Sequence, residues 1–198
     1  MITKISPTCK NLLVEEMLVQ ANLAIEAYSR LHEMLAHPET QKKREVWAFV
    51  QSALTHTAMI SKFMKPSNKS QLSAERASSL KKLLKVEEDS PVFSRNARNN
   101  VEHLDERIDL WIETGGTKML ECVFDSRQDY DFLNRPSSDK RSWFTKRVYL
   151  IADDTFLSAG RSGVEEINMK LLMDEVRRIK QVAECFLKEA STIRRIYP

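Results

Sequence analysis

Residues 7–36 read PTCKNLLVEEMLVQANLAIEAYSRLHEMLA, and their apolar spacing decides the fold class. Leu13, Met17, Ala21, Leu23, Ala24, Ala27, Leu31 and Leu35 recur mainly at three- and four-residue intervals. That spacing lines one side of an α-helix, whereas a strand face repeats every two residues. His37-Pro38 ends the helix, because a residue before proline is pushed out of the α region. The same pattern continues from Thr40 to Lys65-Pro66, where Val46, Phe49, Val50, Ala53, Leu54, Thr57, Ile60 and Met64 form a second stripe. Beyond the polar loop 67–71, a shorter helix is expected over residues 73–85, with Ala74, Ala77, Leu80 and Leu84 on one side. Ser90 is then a candidate N-cap, with Pro91 at the first helical position. The helix it opens carries Phe93, Ala97, Val101, Leu104, Ile108 and Trp111 and stops at Gly115-Gly116.

The character changes after Gly116. Residues 119–124 (MLECVF) read as a strand, and the apolar runs 148–151 and 155–157 flank Asp153-Asp154 as a hairpin. The polar stretch 125–141 between them reads as a surface loop. Gly160 and Gly163 punctuate the return to helix. Asn168 is the candidate N-cap of a last long helix with the stripe Leu172, Val176, Ile179, Ala183, Phe186, Ala190 and Ile193. The expected architecture is mainly α: four long helices and one short, with a small β insertion before the last helix. One domain spans residues 1–198. Its helical core covers about 7–114 and 168–194, and its β-rich insertion about 117–160.

Charged residues make up 30% of the 198 residues and nearly cancel, leaving +3, so overall charge alone does not imply a nucleic-acid partner. Cys9, Cys122 and Cys185 are odd in number and far apart, which fits neither a disulfide framework nor a zinc site. Reduced thiols and a cytoplasmic location are the expectation. No signal peptide and no membrane-spanning run are expected either. HExxH, Glu-x-x-His, phosphate-loop and GxGxxG patterns are all lacking, so no metal or nucleotide cofactor is expected.

The segment Arg98-Asn99-Asn100-Val101-Glu102-His103 differs from the rest. On a continuous helix Asn99 and His103 share a face. Arg98 precedes His103 by five positions, about 140° around the helix and roughly 7.5 Å along it. Glu102, four after Arg98, can hold its guanidinium. Arg98, Glu102, Asp105, Glu106 and Arg107 also read as an ordinary solvated charged face. An Arg followed by a polar residue and then by His, on a late helix of a bundle, resembles the Arg-x(4–6)-His motif of the HEPN-domain ribonucleases. The resemblance covers the helical parts, and the β insertion is not part of a minimal HEPN bundle.

The resemblance implies a HEPN-like bundle that cleaves RNA without a metal, by 2′-OH attack, leaving a 2′,3′-cyclic phosphate. Under it, His103 moves protons, since imidazole titrates near neutrality. Arg98 holds the phosphate oxygens, Asn99 orients the histidine or the phosphate, and Glu102 supports Arg98. It also implies a homodimer that pairs two motifs, a toxin or defence role, and a possible inhibitory antitoxin or other regulatory protein. Lys62, Lys65, Lys69, Lys81, Lys82 and Lys85, with Arg76, form the most basic stretch, a candidate RNA track that reads equally as a solubilising surface. Lys140, Arg141, Lys146 and Arg147 form a weaker cluster beside Trp143 and Phe144, which either stack on single-stranded RNA or pack the insertion onto the bundle. The competing reading is a non-catalytic bundle, HEPN-like or unrelated, that binds nucleotide, nucleic acid or a protein partner.

Overall fold

The computed structural model describes residues 5–37, 43–68, 70–94, 103–113, 115, 118–133, 144–160 and 163–196. Helix α1 (Pro7–Leu35) opens with Pro7 in its first turn and with the Ser6 hydroxyl accepting from the Cys9 N–H at 3.2 Å. Helix α2 spans Lys43–Met64 and α3 spans Gln71–Leu84, the latter capped by Ser70. A single 3₁₀ turn follows at Pro91–Phe93, then α4 (Leu104–Glu113). Strand β1 (Met119–Phe124), helix α5 (Arg127–Leu133) and strands β2 (Phe144–Leu150), β3 (Thr155–Ala159) and β4 (Val164–Asn168) lead into α6 (Met169–Ile196). Asn168 caps α6, its side-chain oxygen accepting from the Leu171 N–H at 2.8 Å. Among the described residues no helix is long and apolar enough to cross a membrane.

The strands form one sheet in the order β1-β2-β3-β4, parallel between β1 and β2 and antiparallel thereafter. Side chains alternate across it. Tyr149, Phe156 and Ile167 point into a large core with α1, α2, α3 and α6, built on Met17, Leu31, Leu54, Ile60, Leu80, Leu172 and Val176. Leu120, Val148, Leu150 and Leu157 point the other way and pack with Tyr130 of α5 in a second, smaller core. The sheet is therefore a layer of the domain, with helices on both faces. Leu31 is fully buried, and cutting it to alanine would cost about 2–5 kcal/mol.

The mainly helical architecture, the sheet before the last helix, β1, the β2–β3 hairpin and the Asn168 cap all match the sequence reading. The stripe of α2 holds throughout, with Phe49 at its half-buried edge. On α1 the true face includes Val14 and Tyr28, while Leu23 is 39% exposed.

Four expectations are corrected. The stretch read as surface loop contains α5, a seven-residue helix with only Tyr130 buried, too brief for a periodic signal. The return to helix after Gly163 is preceded by β4, whose Val164 and Glu166 are exposed and whose apolar alternation is therefore faint. Ser90 does not cap a helix: its hydroxyl donates to Glu175 Oε1 of α6 at 2.8 Å, and Pro91 opens only a 3₁₀ turn. Finally, the continuous third long helix is not seen among the described residues. Its described parts are the Pro91–Phe93 turn and α4, and residues 95–102 lie outside them.

Candidate functional site

His103 stands immediately before Leu104, the first residue of α4, rather than mid-helix. Its side chain is 38% exposed, and its Nδ1 lies 3.0 Å from Glu106 Oε1, one helical turn on. A carboxylate only accepts, so Nδ1 is the donor in this contact. Asp105 and Glu106 in the first turn also favour the helix start electrostatically. Arg98, Asn99 and Glu102, the other motif residues singled out from the sequence, lie outside the described residues.

Helix α4 lies on the same side of the sheet as α2. Trp111 stacks on Phe144 of β2, with ring centroids 5.3 Å apart. Arg107, expected on a solvated face, is instead buried and pairs with Glu165 of β4 at 3.5 Å. Phe144 thus packs the sheet against a helix, one of its two expected roles, while Trp143, Lys140 and Arg141 lie outside the described residues.

A cleft opens between α2, β2 and the start of α4. Its inner part is small, about 30 Å³, and is lined by Trp47, Val50, Leu54, Leu104 and Phe156, with Gln51, Lys146 and Arg147 at the rim. An outer, open part of about 470 Å³ shares Trp47, Gln51 and Arg147 and adds Arg44 and Glu121. The basic rim comes from an irregularity in the sheet. Leu120 pairs with Thr145 but Glu121 pairs with Arg147, so Lys146 is an extra residue in β2. Such a bulge breaks the alternation. Thr145 meets Tyr130 on the α5 face, while Lys146 and Arg147 both line the cleft on the other. Glu121 lies 3.0 Å from Lys146 Nζ and 3.6 Å from Arg147 Nε.

The lysine stretch is only partly brought together. Lys81, Lys82 and Lys85 line a shallow depression at the C-terminal end of α3, shared with Glu87 and Glu88. Glu88 pairs with Lys81, and also with Lys65 at 3.3 Å. Lys65 further sits 4.2 Å from the centre of the Phe93 ring. Hydrogen bonds from Lys81 and then Lys65 hold the Glu88 carboxyl below its usual range. Lys62, in the last turn of α2, is not part of that depression's lining, and Lys69 lies outside the described residues.

A further polar cluster escaped the sequence reading. The Asp154 carboxylate, in the β2–β3 turn, accepts from the hydroxyls of Tyr28 and Tyr149 and lies 3.1 Å from His32 Nε2. Tyr28 and His32 are one turn apart on α1, edge to face at 4.4 Å. Their contact with Asp154 spans more than a hundred residues, so no local spacing could announce it. Glu106, three residues after His103, had a legible signal in that i, i+3 spacing. Among the described residues no three His, Cys, Asp or Glu side chains gather as a metal-binding group. No family model, curated protein or solved structure matches this chain.

Proposed function

We propose that this chain is a HEPN-type, metal-independent endoribonuclease whose catalytic residues are Arg98 and His103, assisted by Asn99, with Glu102 supporting Arg98. The observation that carries the reading is the Arg-x4-His motif with its histidine at an exposed helix start, its Nδ1 held by Glu106 and its neighbour Leu104 lining a basic-rimmed cleft. In the reaction, Nε2 of His103 accepts the proton of a ribose 2′-OH as that oxygen attacks the adjacent phosphorus. The 2′-O–P bond forms, the P–O5′ bond breaks, and the leaving 5′ oxygen receives a proton in place of the one that His103 has taken up, which the imidazolium returns. The products are a 2′,3′-cyclic phosphate and a 5′-hydroxyl. Arg98 offers two N–H groups to the phosphate oxygens as charge accumulates on them. The Glu106 carboxylate holds the His103 ring through Nδ1. A homodimer and a regulatory protein partner belong to the same proposal.

The test is cleavage of a mixed RNA pool by purified protein in excess EDTA. Arg98→Ala and His103→Ala are each expected to lose at least ~100-fold in rate. The His103 variant should keep its melting temperature, because its side chain is partly solvated and surface changes usually alter stability by no more than ~0.5 kcal/mol. Cleavage that persists in both variants removes the assignment. A parent protein that binds RNA but never cuts it establishes the non-catalytic reading instead.

A further inference from the structure

We propose that the open groove between α2 and the β1–β2 pair is a backbone track for single-stranded RNA, in which Arg44 and Arg147 hold phosphodiesters and the bases stay outside. The identity of the ligand rests on the ribonuclease reading, while the groove rests on its own geometry. Three observations carry it. The first is size. The groove measures about 470 Å³ and is open to solvent, whereas the notch beside it measures about 30 Å³. A notch of that volume admits water and excludes a base. Trp47 is only 5% exposed, too covered for a base to stack on it. The second is charge. Arg44, Ala48 and Gln51 follow one another at four- and three-residue intervals along the exposed side of α2 and form one wall. Glu121 and Arg147 form the other, with Lys146 at the rim of the notch. Arg44 makes no ion pair among the described residues. Three cations thus face one carboxylate, and an arginine fork meets two phosphate oxygens at once.

The third observation is the bulge at Lys146. A regular strand would send Lys146 and Arg147 to opposite faces of the sheet. The extra residue brings both to the α2 side, at the expense of one regular rung between β1 and β2. Glu121 meets Lys146 at Nζ and Arg147 at Nε, which fixes the direction of both cations and leaves the groove a net positive charge. The short side chain of Ala48 leaves the space between the two walls unfilled. Leu104, in the wall of the notch, directly follows His103. A strand held in the groove therefore lies on the side of the molecule where the histidine proposed to cut it stands. A grip on phosphates alone is indifferent to base sequence.

The experiment uses the full chain carrying His103→Ala, so that the ligand stays whole. Fluorescence anisotropy with labelled oligouridylate and oligoadenylate measures affinity across a salt series, with oligoglutamate as a competitor. In that background Arg44→Ala should weaken binding of both RNAs by the same factor, about 3–10-fold, and lower the salt slope by about 0.7. Arg30→Ala removes an equal charge from α1, away from the groove lining, and should do neither. Ala48→Leu, which fills the groove from an exposed helical position without changing charge, should weaken binding about 3-fold or more. Thermal melts of the three variants should match the parent. An Arg44→Ala chain that binds like the Arg30→Ala chain overturns the track, even where the His103-bearing chain cleaves RNA. A loss confined to one of the two RNAs also overturns it, because the groove then reads bases. Oligoglutamate that binds more tightly than either RNA, and loses affinity on Arg44→Ala, replaces the RNA with an acidic protein segment. Groove variants that lose RNA binding, in a protein that never cleaves RNA, keep the track and remove the ribonuclease reading.

Discussion

Asp154 enters the left-handed backbone region, with φ 48°, which aspartate tolerates better than most residues. The turn aims its carboxylate at α1, where two phenols and an imidazole meet it. Tyr149 is fully buried. Burial first, then the hydrogen bond to Asp154 and its charge, raise the hydroxyl pKa above the ordinary 10.0. Tyr28 is raised by the same causes in the same order, with Arg177 lowering it and Asp174 adding to the rise. Between the unfolded and folded values, the native state keeps a proton that the unfolded chain has released. The contribution is therefore complete below about pH 10 and declines as pH rises further. For Tyr149 alone the slope is about 1.4 kcal/mol per pH unit. Tyr149→Phe should be less stable at pH 7 by about 1–3 kcal/mol, through loss of a bond to a charged acceptor. It should also lose stability more gently than the parent in denaturant titrations above pH 10. Parallel slopes for the two proteins would show that Tyr149 does not hold its proton this way. None of these links was legible in advance, because His32, Tyr28, Tyr149 and Asp154 each look ordinary within their own segment.

Helix α3 illustrates what periodicity conveys and what it omits. Of Ala74, Ala77, Leu80 and Leu84, read as its buried side, the last three are buried, while Ala74 is exposed and Ser73 is buried instead. The fate of its lysines was not, because the chain turns back after Leu84. Lys85 adopts φ 52° to close the helix, and its left-handed residue lets the Val86 N–H reach the Lys81 carbonyl at 2.9 Å. That turn returns Glu88 to Lys81 and Lys65. A stretch that reads as nearly all basic thus holds its own counter-ion. Removing that carboxylate should increase affinity for RNA: Glu88→Gln is expected to tighten binding and steepen its salt dependence, whereas Lys82→Glu weakens it. If filter binding across a salt series finds neither change, the lysines serve solubility alone. Lys85→Gly separates backbone from charge, because glycine adopts φ > 0 without strain. It should raise stability by about 1 kcal/mol in denaturant melts. Elements with long stripes, such as α2 and α6, were legible for the reason that α3 was. Helix α5 and strand β4 were not, since each buries one side chain in a short polar segment and takes its order from the sheet beside it.

Across the whole molecule, the sheet is what the sequence understated. Residues 117–160 look like an insertion because their polar stretches are long, yet Tyr149 and Phe156 from them, with Ile167 from the strand that follows, complete the core that the helices share. The same placement puts β2 and β4 against α4, so the helix that begins beside His103 is set by the sheet rather than by a long parent helix. A second copy of the chain is the remaining part of the proposed site. Helix α4 buries Arg107 against the sheet and leaves Leu110 and Ile112 50% and 60% exposed. Apolar side chains open to water on a helix next to the motif are available to another protomer, and a two-fold contact there would bring two copies of the motif together. Light scattering at micromolar concentration should therefore give twice the mass of the chain. Pairing can be tested separately from assembly. Arg98→Ala and His103→Ala chains, each silent alone, would be co-expressed with different tags and purified through both. If Arg98 of one protomer serves His103 of the other, the mixed dimer keeps one complete pair and regains cleavage of the RNA pool. A mixed dimer as silent as its parents would mean that each motif acts within its own chain, and a monomer in light scattering would remove the dimeric site altogether.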